Sequence, residues 1–437
     1  MSTAKKILID GYNLGLEKGT GVATYARNLS YEMHNLGHKV SVLYGHAAAS
    51  SRDPLLREIS FFDGGSGGRG GLLDIAGQGV QALRAPFGHR GVEVPITGQV
   101  ISRPFAARLP RYDAIVNAAD VFRRSQNGFR LWGRLGHVDL PDRPDLAHWT
   151  YPLPIKVRGV PNIYTFHDIV PLRLPYTTLD HKRHYLRLLR KLERTADHIV
   201  TVSDSSKRDL IDILGIAPDR ITNTYQSVDI PAALRGKPDE QVAREVEGLL
   251  PVSYKNYYLF WGSIEPKKNI GRMIEAYLVS KVDGPLVIVG AQAWKSEGEL
   301  QLLNGISDAH RQKTKPGSGK RVIQLPYAPF SLLVSLIRGA RAALFPSLYE
   351  GFGLPALEAM MLGTPVICSN TASLPEVAGD AALMIDPYDT AALTEAIRRI
   401  DADADLRAEL SRRGLAQAAH FSPAAYRERL QALYERF

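Results

Sequence analysis

Ser347-Leu348-Tyr349-Glu350-Gly351-Phe352-Gly353-Leu354-Pro355-Ala356-Leu357-Glu358-Ala359-Met360 follows directly on the apolar run Ala342 to Phe345. The order reads as buried strand, glycine-containing turn and helix. Gly351 and Gly353 let the backbone turn closely around a ligand, and Pro355 suits the first turn of the helix. The unpaired N–H groups of that helix N-terminus favour phosphate or sugar oxygens at the same spot. Glu350 falls in the turn and Glu358 in the helix, so both can face a ligand with paired hydroxyls, which carboxylates accept. Taken alone, the segment also fits a structural Gly-Pro turn in which Glu358 complements the helix dipole.

A second strand-to-helix turn, Phe260-Trp261-Gly262-Ser263-Ile264-Glu265-Pro266-Lys267-Lys268-Asn269-Ile270, opens the same half of the chain. It sets two lysines beside a helix N-terminus, where a lysine serves as a compact charge for a phosphate. By itself this pair fits solvated surface lysines as well. Around the two turns, Tyr257 to Trp261, Leu286 to Val289, Val322 to Gln324, Val366 to Cys368 and Ala382 to Ile385 read as further strands. They make a complete α/β series over 254–437.

The first half repeats the rhythm. Lys5 to Asp10 is a strand, Val22, Tyr25, Leu29, Met33 and Leu36 recur at helical spacing, and Lys39 to Tyr44 is the next strand. Between about 46 and 143 the rhythm fails at the glycine-rich run Gly64 to Gly71 and an Arg-rich stretch, which reads as an insertion. It resumes with Ala147 to Thr150, Asn162 to Phe166 and His198 to Val202. Residues 231–253, with Pro, Gly and mixed charge, read as a linker. The expectation is an N-terminal domain over 1–230, a C-terminal domain over 254–437, and a ligand cleft between them.

With 437 residues, 45% hydrophobic and 23% charged, the chain is an ordinary globular sequence long enough for two cores. The polar start, Met1 to Lys6, lacks the apolar stretch of a secretory signal, and no apolar run reaches membrane-spanning length. The single Cys368 sits in an apolar run and reads as a small core residue, which suits the cytoplasm. A net charge of +9 favours anionic partners. With no zinc-like Cys/His spacing and no recognisable nucleic-acid motif, nucleic acid is not expected among them. Asp401, Asp403 and Asp405 read as a solvated helical face rather than a metal site.

These turns, together with Ser369-Asn370-Thr371-Ala372-Ser373-Leu374-Pro375-Glu376-Val377-Ala378-Gly379-Asp380, resemble glycosyltransferase family 4, the retaining enzymes of the GT-B fold. Gly19-Thr20-Gly21-Val22-Ala23-Thr24-Tyr25, Thr165-Phe166-His167-Asp168 and Thr201-Val202-Ser203-Asp204-Ser205-Ser206-Lys207 extend the resemblance through the first half. It implies two Rossmann-like domains with parallel sheets facing across a cleft, the last helix packing back on the N-terminal domain. It makes Lys268 the donor diphosphate ligand, Glu350 a contact to the transferred sugar and Glu358 the ribose anchor. Gly351, Phe352 and Gly353 would present backbone N–H groups to the donor, with Leu354 beside them, Gly19 and Gly21 would face its phosphates across the cleft, and His167 would be the active-site histidine. Many members carry Arg where this chain has Ser263, and Lys267 stands in for that cation.

The Glu265-Pro266-Lys267-Lys268-Asn269 form looks like bacterial O-antigen and capsule mannosyltransferases, so GDP-mannose is the leading donor, with UDP- or dTDP-sugars as alternatives. The resemblance implies no metal or other cofactor and a glycan or lipid-linked glycan acceptor in surface polysaccharide synthesis. From Arg84 to Arg134 there are nine arginines against three acids, interleaved with aromatics, and a basic helix follows Asp180. Both suit an anionic surface at the inner face of the membrane. The competing readings are an epimerase or phosphorylase on the same fold and a non-enzymatic nucleotide-sugar or nucleic-acid-binding protein.

Overall fold

A computed structural model describes residues 4–14, 21–46, 53–62, 88–100, 109–291 and 322–437. Its C-terminal half is a six-stranded, wholly parallel sheet in the spatial order Val322–Leu325, Leu286–Val289, Tyr258–Trp261, Ala342–Phe345, Val366–Ser369, Ala382–Ile385. Numbered along the chain this is 3-2-1-4-5-6, the doubly wound order of a Rossmann-like domain. The four inner strands are apolar runs because helices cover both faces, and Tyr258, Leu259 and Phe260 are wholly buried. Cys368 lies in the fifth strand, buried and unpaired.

The N-terminal half carries an eight-stranded sheet. Lys6–Asp10 lies between Lys39–Tyr44 and Leu146–Trp149, all parallel, and the second flank continues through Asn162–Phe166, His198–Thr201 and Ile221–Asn223. In both domains the order reverses beside the first strand, which is where ligands bind in such sheets.

Two expectations about organisation are corrected. Residues 46–143 are not merely inserted: Ala114–Asn117 pairs in parallel with Lys39–Tyr44, and Val92–Val94 adds an antiparallel edge. The helix Val121–Trp132 buries Val121, Phe122 and Phe129 against this sheet. A four-residue strand bounded by Asp113 and Ala118 carries too little periodicity to stand out. The Gly64–Gly71 run lies outside the described residues. The segment 231–253, read as a linker, contains the helices Ala232–Arg235 and Asp239–Glu247. Val242 and Val246, one turn apart, are fully buried, and their helix packs on the helix Phe330–Gly339.

The chain crosses back to the first domain at its end. The helix Pro423–Tyr434, capped by Ser422, packs on the helix Gly21–Asn35. Arg427 pairs with Glu32 at 2.7 Å, and the Tyr434 hydroxyl meets His148 Nδ1 at 2.7 Å. Both partners of the latter bond are buried, so the helix is held by packing as well as by polar contacts.

Candidate active site

The loops after the first and fourth strands of the C-terminal sheet meet at its switch point. Asn269 adopts a left-handed backbone conformation (φ 59°) and donates its side-chain amide to the carbonyls of Pro346 at 3.0 Å and Pro387 at 2.7 Å. The Leu348 N–H donates to the Lys267 carbonyl at 2.7 Å, so the two loops are fastened to each other. This fastening sets Lys268 Nζ 2.6 Å from Glu350 Oε1, which also accepts the Ser347 hydroxyl at 2.7 Å. Their side chains are only 12% and 11% exposed. Burial raises the Glu350 carboxyl pKa, but the Lys268 and Lys267 charges outweigh it and hold the group below its ordinary value. Lys267 is held protonated: burial opposes its charge, while Asp168, Glu265 and Glu350 favour it more.

Glu358, in the helix Leu354–Met361, accepts the Trp261 indole N–H at 2.8 Å. Burial pushes its pKa up to about 7, only partly opposed by that bond. A carboxylate poised near neutrality with one fixed donor has acceptor capacity left for ligand hydroxyls. Ser263 is exposed in the turn beyond the first strand. Gly353 has φ 104°, a conformation that suits glycine, and a Cβ there would meet the Leu374 side chain at 2.8 Å.

The first domain presses on these loops. His167 follows the strand Asn162–Phe166, donates from Nε2 to the Thr150 carbonyl at 2.9 Å and stands edge-on to the Tyr25 ring at 4.8 Å. A carbonyl only accepts, so Nε2 carries the proton and Nδ1 is an acceptor. Burial lowers the imidazole pKa despite the Thr150 bond and Asp168, so the ring is neutral at physiological pH. The Ser206 hydroxyl reaches the carbonyls of both His167 (2.8 Å) and Gly351 (3.3 Å), one from each domain. A Cβ on Gly351 would stand 2.8 Å from the His167 oxygen, so only glycine fits this approach. Gly21 begins the helix Gly21–Asn35, and a Cβ there would meet Leu354 at 3.5 Å, which brings two helix N-termini together. Gly19 lies outside the described residues.

Sequence reasoning gave no role to several residues that hold this arrangement. Glu376 accepts the backbone N–H groups of Asp204 (2.8 Å) and Ser205 (2.9 Å) at the start of the helix Asp204–Leu214. The Tyr349 hydroxyl donates to Asp209. The Phe352 ring packs with the rings of Phe421 and Tyr225. Glu376 and Ser206 lie inside motifs that carry the family resemblance, but nothing local marks them as bridges between domains. Among the described residues no three His, Cys, Asp or Glu side chains converge to hold a metal ion. Asp401 is not simply solvated: it binds Arg341 and the Tyr258 hydroxyl.

Residues 244–417 match the family described as glycosyl transferases group 1, and residues 19–230 match Glycosyltransferase Family 4. The chain belongs to glycosyltransferase family 4. Among its relatives, O-antigen chain mannosyltransferase B of Escherichia coli is 35% identical over 271 residues, 60% of this chain and 66% of that protein. The serotype-specific mannosyltransferase WbdA of E. coli is 30% identical over 284 residues, 62% of this chain and 33% of that longer protein. The chain thus spans less than two thirds of these relatives. In architecture it is similar to sucrose-phosphate synthase from Thermosynechococcus elongatus, with a TM-score of 0.66 at 17% identity over 99% of this chain and 98% of the other. The family 4 chain therefore has the GT-B fold, two Rossmann-like α/β domains facing across a cleft.

Proposed function

We propose that the protein transfers a hexose, mannose from GDP-mannose, onto a glycan or lipid-linked glycan acceptor of a surface polysaccharide, with retention of anomeric configuration and without a metal ion. The observation that carries this reading is the Lys268–Glu350 pair at the switch point of the C-terminal sheet, against which His167 is pressed from the other domain. Mannose is supported by the name of the O-antigen mannosyltransferase relative. In this reading Glu358 receives the ribose hydroxyls and Glu350 positions the sugar. Lys268, with Lys267 beside it, and the helix N-termini at Gly21 and Leu354 stabilise the departing diphosphate. His167 Nδ1 is left to accept a bond from a sugar hydroxyl. The acceptor hydroxyl attacks the anomeric carbon on the face the diphosphate leaves, and the diphosphate takes its proton.

Attachment to the inner face of an anionic membrane is supported by the first domain. The helices Val121–Trp132 and Lys182–Thr195 flank a groove of about 430 Å3 lined by Arg183, Arg187, Arg190, Lys191 and Arg194. Beside it Leu131 and Trp132 are 60% and 51% exposed. Basic groups around exposed apolar side chains match a bilayer of anionic lipid. Among the described residues no helix is long and apolar enough to cross a membrane.

The test is an assay of GDP release from GDP-mannose with a mannose-terminated oligosaccharide acceptor, the new linkage read by NMR. An α-linked mannoside formed in the presence of EDTA is expected. Release of free mannose alone, a β-linked product, or activity that requires manganese or magnesium would contradict the reading.

A further inference from the structure

The acceptor-side domain holds a second cavity, away from Lys268 and Glu350. It measures about 350 Å3 and opens at the carboxyl end of the strand Ala114–Asn117. Arg57, Arg90 and Arg124 line it together with His89 and Phe61, and none of its lining side chains is acidic. His89 is 96% buried, since only 4% of its surface is exposed, and its Nδ1 has no hydrogen-bond partner. Nε of Arg57 and Nε of Arg124 are likewise buried without partners. The other His89 nitrogen lies 3.3 Å from the Ser125 hydroxyl.

Buried guanidinium N–H groups without acceptors are costly, because desolvation is not repaid by any bond. None of the three arginines faces a carboxylate among the lining residues, Arg57 donating only from Nη1 to the Glu93 carbonyl at 2.9 Å, and a phosphate supplies a multivalent acceptor in the geometry guanidinium groups favour. The strand Ala114–Asn117 lies four positions along the sheet from Asn162–Phe166, which leads into His167. At ordinary strand spacing that is about 19 Å along the same edge. An anion bound there is too far to be the donor diphosphate and sits where a long acceptor would extend.

We propose that this cavity binds a phosphate group carried by the acceptor, several sugar units from the hydroxyl that reacts. The proposal rests on the reading of the chain as a glycosyltransferase whose acceptor lies in the N-terminal domain. The phosphate is either the diphosphate link to a lipid carrier or a phosphate on the glycan itself.

The test titrates inorganic pyrophosphate, at fixed ionic strength, into the double variant Lys268→Ala/Glu350→Gln, in which the donor site is disabled. Saturable binding is expected to persist there and to weaken about tenfold or more when Arg90→Ala or Arg124→Gln is added, the loss of one charge-assisted bond. Arg90 is exposed, so its replacement leaves folding intact. Dodecyl diphosphate binding more tightly than mannose 6-phosphate identifies the lipid link, and the reverse order identifies a phosphorylated glycan. Absence of saturable pyrophosphate binding, or binding unchanged by both arginine variants, overturns the proposal. Failure of the donor-site reading would show separately, as GDP binding that Lys268→Ala leaves untouched.

Discussion

Lys268 Nζ and Glu350 Oε1 lie 2.6 Å apart although 82 positions separate them in the chain. The 3-2-1-4-5-6 strand order creates this contact, because it makes the first and fourth strands neighbours and their following loops a single site. The pair is nearly buried, so each charge depends on the other, and a diphosphate entering the site would compete with Glu350 for the ammonium.

Removing one member should therefore separate stability from function. Lys268→Ala leaves Glu350 buried beside Ser347 with its main counter-charge gone and should cost about 3 kcal/mol of stability. Adding Glu350→Gln should restore most of that stability without restoring activity. Chemical denaturation and initial rates check both. A Lys268→Ala variant with wild-type turnover would remove lysine from the diphosphate role.

Glu358 gives the site a pH dependence. Its carboxyl, pushed up to about 7, binds a proton in the folded protein at pH values where an unfolded chain, with its ordinary value of 4.5, does not. Its contribution to stability is fully present below about 4.5 and is lost as pH rises through about 7. The ionised form is the better acceptor for ribose hydroxyls, so GDP should bind more tightly as pH rises from about 6 to 8. Calorimetric titration of Glu358→Gln should give a much flatter profile. An unchanged profile in that variant would place the titration elsewhere.

Gly351→Ala tests the contact between domains. The new methyl would stand 2.8 Å from the His167 carbonyl oxygen and 3.1 Å from Asp168 Cβ, and neither neighbour is the far end of a flexible chain. The closed arrangement should lose about 1–3 kcal/mol, the range of overpacking. Turnover should fall while the affinity for GDP alone changes little, because the clash is with the opposite domain. Wild-type kcat in this variant would show that the approach of His167 to Gly351 is not needed for transfer.

The legible parts of the molecule are those whose pattern is local. Tyr258–Trp261, Leu286–Val289 and Val366–Ser369 are strands buried on both faces and stand out as continuous apolar runs. Ala114–Asn117 escaped because four residues are too few to show a period, and Asp239–Glu247 because Pro238 and Gly248 give it the composition of a connector. In the site, Lys268 and Glu350 announce themselves through glycine, proline and charge at two strand-to-helix turns. The supports do not: Asn269 bridging Pro346 and Pro387, Ser206 reaching both His167 and Gly351, and Glu376 capping Asp204–Leu214 are all long-range contacts. No spacing rule connects residues on different domains.

If a nucleotide sugar binds at Lys268 and Glu350, it stabilises the native state, and a thermal-shift panel of GDP-mannose, UDP-glucose, dTDP-rhamnose and ADP-glucose measures this. A ligand at about 100 times its Kd stabilises the native state by about 2.7 kcal/mol, a readily measured rise in Tm. GDP-mannose is expected to raise Tm of the wild-type protein the most, and the rise is expected to vanish in the folded Lys268→Ala/Glu350→Gln variant. No shift with any of the four nucleotide sugars, or the same shift in that variant, would show that Lys268 and Glu350 do not hold a nucleotide sugar.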